Sequence, residues 1–334
     1  MVDPARFDVL GIGNAIVDVL SRVDDDFLVR EGLAKGSMRL VNANEADSLY
    51  EKIGSATESS GGSAGNTVAG IASLGGSAAF IGKVAEDQLG AIFRHDMRAV
   101  GVSFETAALD QGDPTARSIV LVTPDGERTM NTYLGAAQAL GSSDIARDLV
   151  GAARITFLEG YLWDPPEAKA AFRRAAEFAH EARRKVALTL SDSFCVDRYR
   201  TEFLDLIRND VVDIVLANAS ELKSLYETAD LETGLQALSR DCDLAAVTAS
   251  ENGAYVASAG EITHVPADPV PELVDATGAG DLFASGFLYG IAQEWAPPAA
   301  AALGAFAAAE VITHIGARPA VSLEDAARRG GFVL

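Results

Sequence analysis

Short apolar runs rich in Val, Ile and Leu alternate along the chain with longer stretches whose apolar positions recur at helical spacing. The runs fall at residues 7–13, 78–84, 154–160, 185–191, 212–218 and 244–250. Between them lie segments such as "DQLGAIFRHDMRAVG" and "PPEAKAAFRRAAEFAHEARR", each polar along one face. Nearly continuous apolar strands separated by amphipathic helices predict a parallel sheet covered on both sides. The expected fold class is therefore α/β, with a doubly wound, mostly parallel sheet flanked by helices in one domain spanning residues 1–334.

Two regions break the alternation. Residues 16–42 read as a strand, an acidic "DDD" turn and then "GSMRLVN", while residues 104–134 contain two strand-like runs around Pro124-Asp125-Gly126. Pro-Asp-Gly is a strong hairpin signal, because it presets a turn and supplies a residue tolerant of positive φ. Segments at about 14–45 and 103–136 are thus expected to form a small discontinuous β-sheet that projects as a lid.

Composition narrows the chemistry. Hydrophobic residues make up 49% and charged residues 22% of the 334, which fits a folded globular chain with a substantial core. A formal charge of -21 opposes nucleic acid or an anionic membrane as partner, since both need a basic surface. A phosphate ligand would have to be held by a local cradle or a few arginines. Cys195 and Cys242 form no C-x-x-C pair, the four histidines are scattered, and the opening "MVDPARFDVL" lacks a signal-peptide pattern. The longest apolar run, residues 299–309, is about half of the ~20 residues that span a bilayer. A cytoplasmic protein in a reducing compartment is expected.

Three motifs sit where ligands bind in open α/β sheets, beyond the carboxyl ends of strands. In "SGGSAGNTVAGIASLGG" from Ser60, Gly61 and Gly62 let a polar ligand reach backbone, with Asn66 beside it; alternatively Asn66 caps a helix that begins there. In "NASE", Asn218 and Glu221 share a helix face and can hold water around Mg²⁺, or else they simply cap a helix. In "DATGAGDLFASGF" from Asp275, Gly278, Ala279 and Gly280 can turn their N–H groups towards developing negative charge. Asp281 then stands where a general base would accept a hydroxyl proton, although an acidic first turn is also ordinary helix chemistry. Two familiar phosphate motifs fail: "GSAAFIGKV" places Gly76 one position early and Val84 where a P-loop needs Ser or Thr, and "GIGNAI" lacks the third glycine of a dinucleotide fingerprint.

Spaced in this way, "GGSAGN", "NASE" and "DATGAGD" together resemble the ribokinase, or pfkB, family of sugar kinases. The resemblance runs from "GIGNAIVD" to "GARPA". It implies ATP-dependent transfer of a γ-phosphoryl group to a sugar hydroxyl, with Mg²⁺ as cofactor. Asp281 matches the family's catalytic base, Gly278 to Gly280 its anion hole, and Asn218 with Glu221 its Mg²⁺ and phosphate motif. Asn14, Asp18, Gly62, Ser63 and Asn66 match acceptor-binding positions, Thr248 and Gly253 the nucleotide side, and Arg128 a basic lid residue able to approach phosphate. The chain departs from the family at Ala276, where Thr is usual, and at Ser250, where Gly is common. Many members bind a monovalent cation near "IGA" at residues 315–317, so K⁺ is an open expectation, as is a homodimer paired through the lids against a monomer.

Within the family, "GNAIVD" with "SGGSAGN" is similar to the adenosine kinase branch. A nucleoside also needs a surface for its base, for which Tyr161, Trp163 and Leu134 are candidates or, equally, packing residues. Adenosine phosphorylated at its 5′ hydroxyl is the expected reaction. A free sugar such as ribose or fructose is the alternative acceptor, and a non-catalytic nucleoside or sugar binder the alternative of another class.

Overall fold

The computed structural model describes residues 4–334. In chain order its strands are β1 (Phe7–Ile12), β2 (Ile16–Arg22), β3 (Met38–Leu40), β4 (Ala56–Ser60), β5 (Ala78–Ile81), β6 (Ser103–Phe104) and β7 (Ala116–Val122). They continue as β8 (Arg128–Tyr133), β9 (Ala153–Glu159), β10 (Lys185–Thr189), β11 (Ile214–Asn218), β12 (Leu244–Thr248), β13 (Ala254–Ser258) and β14 (Glu261–Val265). Nine of these form one sheet in the order β14-β13-β12-β11-β10-β9-β1-β5-β6, parallel from β12 to β6.

Alternation along β1 explains the two covered faces. Val9 points into one apolar layer with Phe80 and Leu282, whereas Leu10 and Ile12 point into the other with Phe172 and Leu206. Helices therefore lie on both sides, as the apolar runs require. At the β12 side β13 and β14 add an antiparallel hairpin, so the sheet is mostly parallel, as expected. Most of β14 is solvent-exposed, so it carries little of the apolar signal that marks the other strands.

A second sheet has the order β3-β8-β7-β2-β4. The turn around Pro124-Asp125-Gly126 does join β7 to β8, with Gly126 at φ +85°. Two boundaries of the expected segments need correction. β4 lies beyond residue 45 yet pairs with β2, and Ser103–Phe104 joins β5 in the large sheet. β4 is the mostly polar "ATESS", paired on one side only and largely exposed, so burial leaves no apolar pattern to read in it. The outer face of the smaller sheet is closed by Val19, Ile119 and Leu121 packing on Leu28 and Leu49 of two short helices.

The strand order reverses at β1. From there the chain builds outwards through β5 and β6 on one side and through β9 to β12 on the other. Such a switch point leaves a crevice outside the carboxyl ends of the strands, here between the segments that follow β1 and β9. No helix among the described residues is long and apolar enough to cross a membrane.

Behind the crevice, helix Ala279–Ala292 packs closely against helix Pro297–Val311. A Cβ on Gly286 would lie 2.6 Å from the backbone N of Gly304 and the carbonyl O of Leu303. Backbone cannot step aside as a side chain can, so Gly286→Ala is expected to cost about 1–3 kcal/mol in urea unfolding. Gly54→Ala, where nothing lies within 4 Å, serves as the neutral control. An unchanged midpoint for Gly286→Ala would show that the helix pair is not close-packed there.

Candidate active site

Two helices begin side by side at the crevice, each after a glycine with positive φ. Gly62 (φ +81°) precedes helix Ser63–Ser73, and a side chain there would strike the Asn14 carbonyl. Gly278 (φ +82°) precedes helix Ala279–Ala292, where a Cβ would lie 2.7 Å from Ala317. An L side chain is strained at such φ values and has no room in either place. The first helix starts at Ser63, three residues before the expected Asn66, so Asn66 does not cap it.

That early start turns Ser63 and Asn66 towards the second helix. Ser63 Oγ donates to Asp281 Oδ1 at 2.6 Å, and Asn66 Nδ2 donates to Asp281 Oδ2 at 3.0 Å. Thr67 and Ser285 hydroxyls donate to the Asp281 carbonyl at 3.2 and 2.9 Å, fixing the backbone as well. The carboxyl group remains partly open to a cavity. Burial pushes its pKa up to about 6, against the opposing pull of Ser63, Asn66 and Arg318.

The amides ahead of Asp281 are not equivalent. Ala279 N–H donates to the Ala276 carbonyl at 3.2 Å, so it is committed to a tight turn and not free for a ligand as expected. Gly280 and Asp281 N–H find no acceptor among the described residues, as is intrinsic to a first helical turn. Gly280 is exposed and nothing lies within 4 Å of its missing side chain, so a ligand can approach its backbone. The loop is braced by Asp275, which accepts from Thr277 N–H at 3.0 Å and Gly316 N–H at 2.9 Å. Arg128 of β8 forms a nearly buried ion pair with the same carboxylate. The expected phosphate-facing arginine is thus held by Asp275, tying the smaller sheet to the loop that leads into Asp281.

A second carboxylate, which sequence reasoning missed, spans the switch point. Glu159 at the end of β9 accepts from Asn14 Nδ2 (2.7 Å), Asn14 N–H (3.2 Å) and Ala64 N–H (2.8 Å). Burial, only partly offset by these bonds, raises its pKa to about 7. Its signal was one acidic residue closing an otherwise apolar strand. Asp18 lies on the inner face of the smaller sheet, in register with Ser118 and, across it, Thr132. Its carboxyl touches the bare backbone of Gly61 and is raised to about 6 by burial, opposed by Arg318 and Arg128. Arg318, also missed, donates from Nε to Asn66 Oδ1 at 3.3 Å and from Nη2 to Met97 Sδ at 3.3 Å.

Three connected cavities run past these groups. A middle one of about 320 Å³ reaches Ser63, Tyr161, Asn218, Glu221, Gly278 to Gly280 and Asp281. Through Thr248 and Gly280 it continues to a cavity of about 200 Å³ lined by Gly253, Phe283, Ala305 and Ala309. Through Ser63 and Tyr161 it continues to one of about 450 Å³ under the smaller sheet. Its walls are largely the apolar side chains of Met38, Leu40, Met130, Leu134 and Phe194, with Asn14, Arg39, Glu159, Asp164, Asp192 and Arg198 as polar members. Phe194 is 80% exposed at its edge. Of the aromatic residues expected there, Tyr161 lines the cavity and Trp163 does not. Trp163 is fully buried between Phe172 and Phe203, with its indole N–H bonded to Glu202 at 2.9 Å.

Asn218 and Glu221 form a reciprocal capping box: Asn218 Oδ1 accepts from Glu221 N–H, and Glu221 accepts from Asn218 N–H and Nδ2 at 2.9 and 2.5 Å. Both readings of the motif meet here, since the pair caps its helix while lining the middle cavity. Burial raises Glu221 to about 7. Among the described residues no three His, Cys, Asp or Glu side chains gather to hold a metal ion. A dedicated protein cage for Mg²⁺ does not fit this donor set. An ion that keeps its waters and arrives on a nucleotide's phosphates, beside Glu221, does.

The model of the pfkB family of carbohydrate kinases matches residues 34–324. The solved structure of an adenosine kinase from Sinorhizobium meliloti is 56% identical, with a TM-score of 0.91 over 98% of this chain and 100% of that one. That of a probable sugar kinase from Rhizobium etli CFN 42 is 54% identical, with a TM-score of 0.93 and the same coverage. A fructokinase from Klebsiella pneumoniae is 28% identical, covering 77% of this chain and 85% of its own.

The raised carboxyls have a thermodynamic consequence. Between about pH 4.5 and 7 the native Glu159 keeps a proton that the unfolded chain has already released. Its contribution is complete below that window and lost as pH rises through it. Urea midpoints should therefore fall from pH 5 to pH 7.5, and the fall should be shallower in Glu159→Gln. An equally steep fall in that variant would show Glu159 to be ionised throughout.

Proposed function

Because the chain belongs to the pfkB family of carbohydrate kinases, we propose that it transfers the γ-phosphoryl group of Mg-ATP to a nucleoside hydroxyl, with the 5′ hydroxyl of adenosine as acceptor. The chain is a kinase, a phosphotransferase with an alcohol as acceptor. The observation that carries the nucleoside reading is the apolar 450 Å³ cavity opening directly onto the cavity that contains Asp281. A free pentose or hexose presents hydroxyls on every side and gains little from Met38, Leu40, Met130, Leu134 and Phe194. A purine base gains a stacking surface from them. The similarity to the Sinorhizobium meliloti adenosine kinase agrees with this choice, while the similarity to a fructokinase keeps a free sugar as the second reading.

In this reading the acceptor's ribose lies between Asp18, Asn14 and Asn66, which face its hydroxyls, with Gly62 and Ser63 backing it. Asp281 accepts the proton of the attacking hydroxyl at its carboxylate. Ser63 and Asn66 aim that carboxylate, and its pKa near 6 leaves it ionised at neutral pH yet basic enough to take the proton. The N–H groups of Gly280 and Asp281, at a helix start, receive the charge that develops on the transferred phosphoryl oxygens. ATP lies along the other two cavities, its base between Gly253 and the small residues Ala305 and Ala309, its phosphates beside Thr248, Asn218 and Gly280. Glu221 would hold a nucleotide-borne Mg²⁺ through its water, and the ion would supply neutralisation of phosphate charge. Arg128, once released from Asp275, can swing to the phosphates as the smaller sheet closes as a lid and excludes water.

Asp281→Asn should keep acceptor binding and lose about 10²–10⁴ in kcat, read by coupled ADP release; turnover near wild type would remove Asp281 as base. Across a panel of nucleosides and free sugars with Mg-ATP, adenosine should give the highest kcat/KM. Phe194→Ala should raise the adenosine KM roughly five- to hundred-fold with little change in kcat, the worth of one stacked base. A sugar leading the panel, with Phe194→Ala silent, would assign the chain to free sugars.

A further inference from the structure

We propose that Arg318 is a positioning residue for the phosphotransfer, fixing the Asn66 amide and supplying the positive charge that keeps the Asp281 carboxylate competent as a base. The inference rests on the assignment of Asp281 as base. It starts from a chain of bonds, in which Arg318 Nε donates to Asn66 Oδ1 at 3.3 Å and Asn66 Nδ2 donates to Asp281 Oδ2 at 3.0 Å. A guanidinium can only donate and an ionised carboxylate can only accept, so the amide between them is fixed in one orientation. Asn66 is buried, and without Arg318 its Oδ1 would lose its donor inside the protein.

The charges around Asp281 leave few other sources of compensation. Asp18 faces it from β2 and Glu159 from the end of β9, both adding negative charge when ionised. Tyr161 lines the same cavity, and its phenol stays neutral because burial raises its pKa. Ser63 and Asn66 contribute hydrogen bonds but no charge. Arg128 lies on β8 within electrostatic reach of Asp18 but is paired with Asp275. Arg318 acts electrostatically on Asp18 and Asp281 without a direct ion pair, and Asp96 of helix Gln88–Ala99 also lies within its electrostatic reach. Asp96 is in turn held by the Ser60 N–H at 2.9 Å, which keeps the guanidinium from being drawn away by a mobile partner. Met97, whose sulfur accepts from Nη2, closes the remaining side.

The test is the pH profile of kcat/KM for adenosine and Mg-ATP in Arg318→Met, Arg318→Gln and Arg318→Lys, with folding of each followed by thermal melting. Wild type is expected to lose activity below about pH 6, as Asp281 takes a proton. Removing a nearby cation raises a carboxyl pKa, so the acidic limb in Arg318→Met should move up by about one pH unit. Activity near pH 6.5 should then fall roughly threefold, approaching tenfold near pH 5, and recover at high pH. Arg318→Lys, which keeps the charge, should hold the limb near its wild-type position even if melting is lowered. Arg318→Gln keeps a donor for Asn66 and loses only the charge, so it should shift like Arg318→Met and replaces that variant should it not fold. An unmoved limb in a folded Met or Gln variant overturns the proposal, as does an equal shift in all three, which would mark simple packing. Absence of turnover in wild type on every acceptor would instead remove the base assignment, and the inference with it.

Discussion

The site depends on a carboxylate at the start of one helix being gripped by side chains at the start of another. Ser63 and Asp281 are 218 positions apart in the chain yet 2.6 Å apart across the crevice. Two features bring them together. Gly62 and Gly278 let both helices begin abruptly, the first just after β4 and the second after the long loop that follows β14, and Gly70 lets them touch further along, where a Cβ would meet Leu282 at 2.7 Å. Thr67 and Ser285 lock the contact by bonding backbone carbonyls across it. With a bulkier residue at any of these points the helices would separate and Asp281 would lose both of its orienting donors.

Electrostatics makes the same region costly to build. Asp18, Glu159, Glu221 and Asp281 all lie where burial opposes their charge. Hydrogen bonds from backbone and amides absorb part of that cost, and two arginines from distant segments absorb more. The overall charge of -21 rules out long-range attraction of a polyanionic ligand. A phosphate ligand would therefore have to be held by short-range means, for which the N–H groups of Gly280 and Asp281 at a helix start are the candidates. The smaller sheet walls the 450 Å³ cavity and is joined to the loop before Asp281 through the buried pair of Arg128 and Asp275.

Much of the architecture was legible because a parallel strand is apolar throughout and a covering helix is apolar along one stripe. The strands so marked all exist, with ends displaced by one to three residues. β4 and β14 were not legible, since polar, exposed edge strands do not differ in composition from loops; β13, a buried five-residue strand, was passed over. Asn66 looked like a helix cap because amides are good caps, but a glycine with positive φ took that place and freed the amide for Asp281. Trp163 looked like a wall for a base because it follows a strand, yet its neighbours Phe172 and Phe203 enclose it in the core. Glu159 and Arg318 were missed because nothing in the residues beside either one reveals which distant group it will face.

By itself, then, the sequence determined the layered fold, the three glycine- or amide-rich helix starts, and the carboxylate at position 281, because these follow from local backbone needs and from apolar periodicity. Tertiary structure alone decided which amide of the 278–281 turn stays free and which charges surround Asp281. It also decided which apolar side chains line the 450 Å³ cavity under the smaller sheet. Those outcomes depend on distances between segments far apart in the chain, and a Coulomb or hydrogen-bond energy is set by distance and solvent access, neither of which local composition encodes.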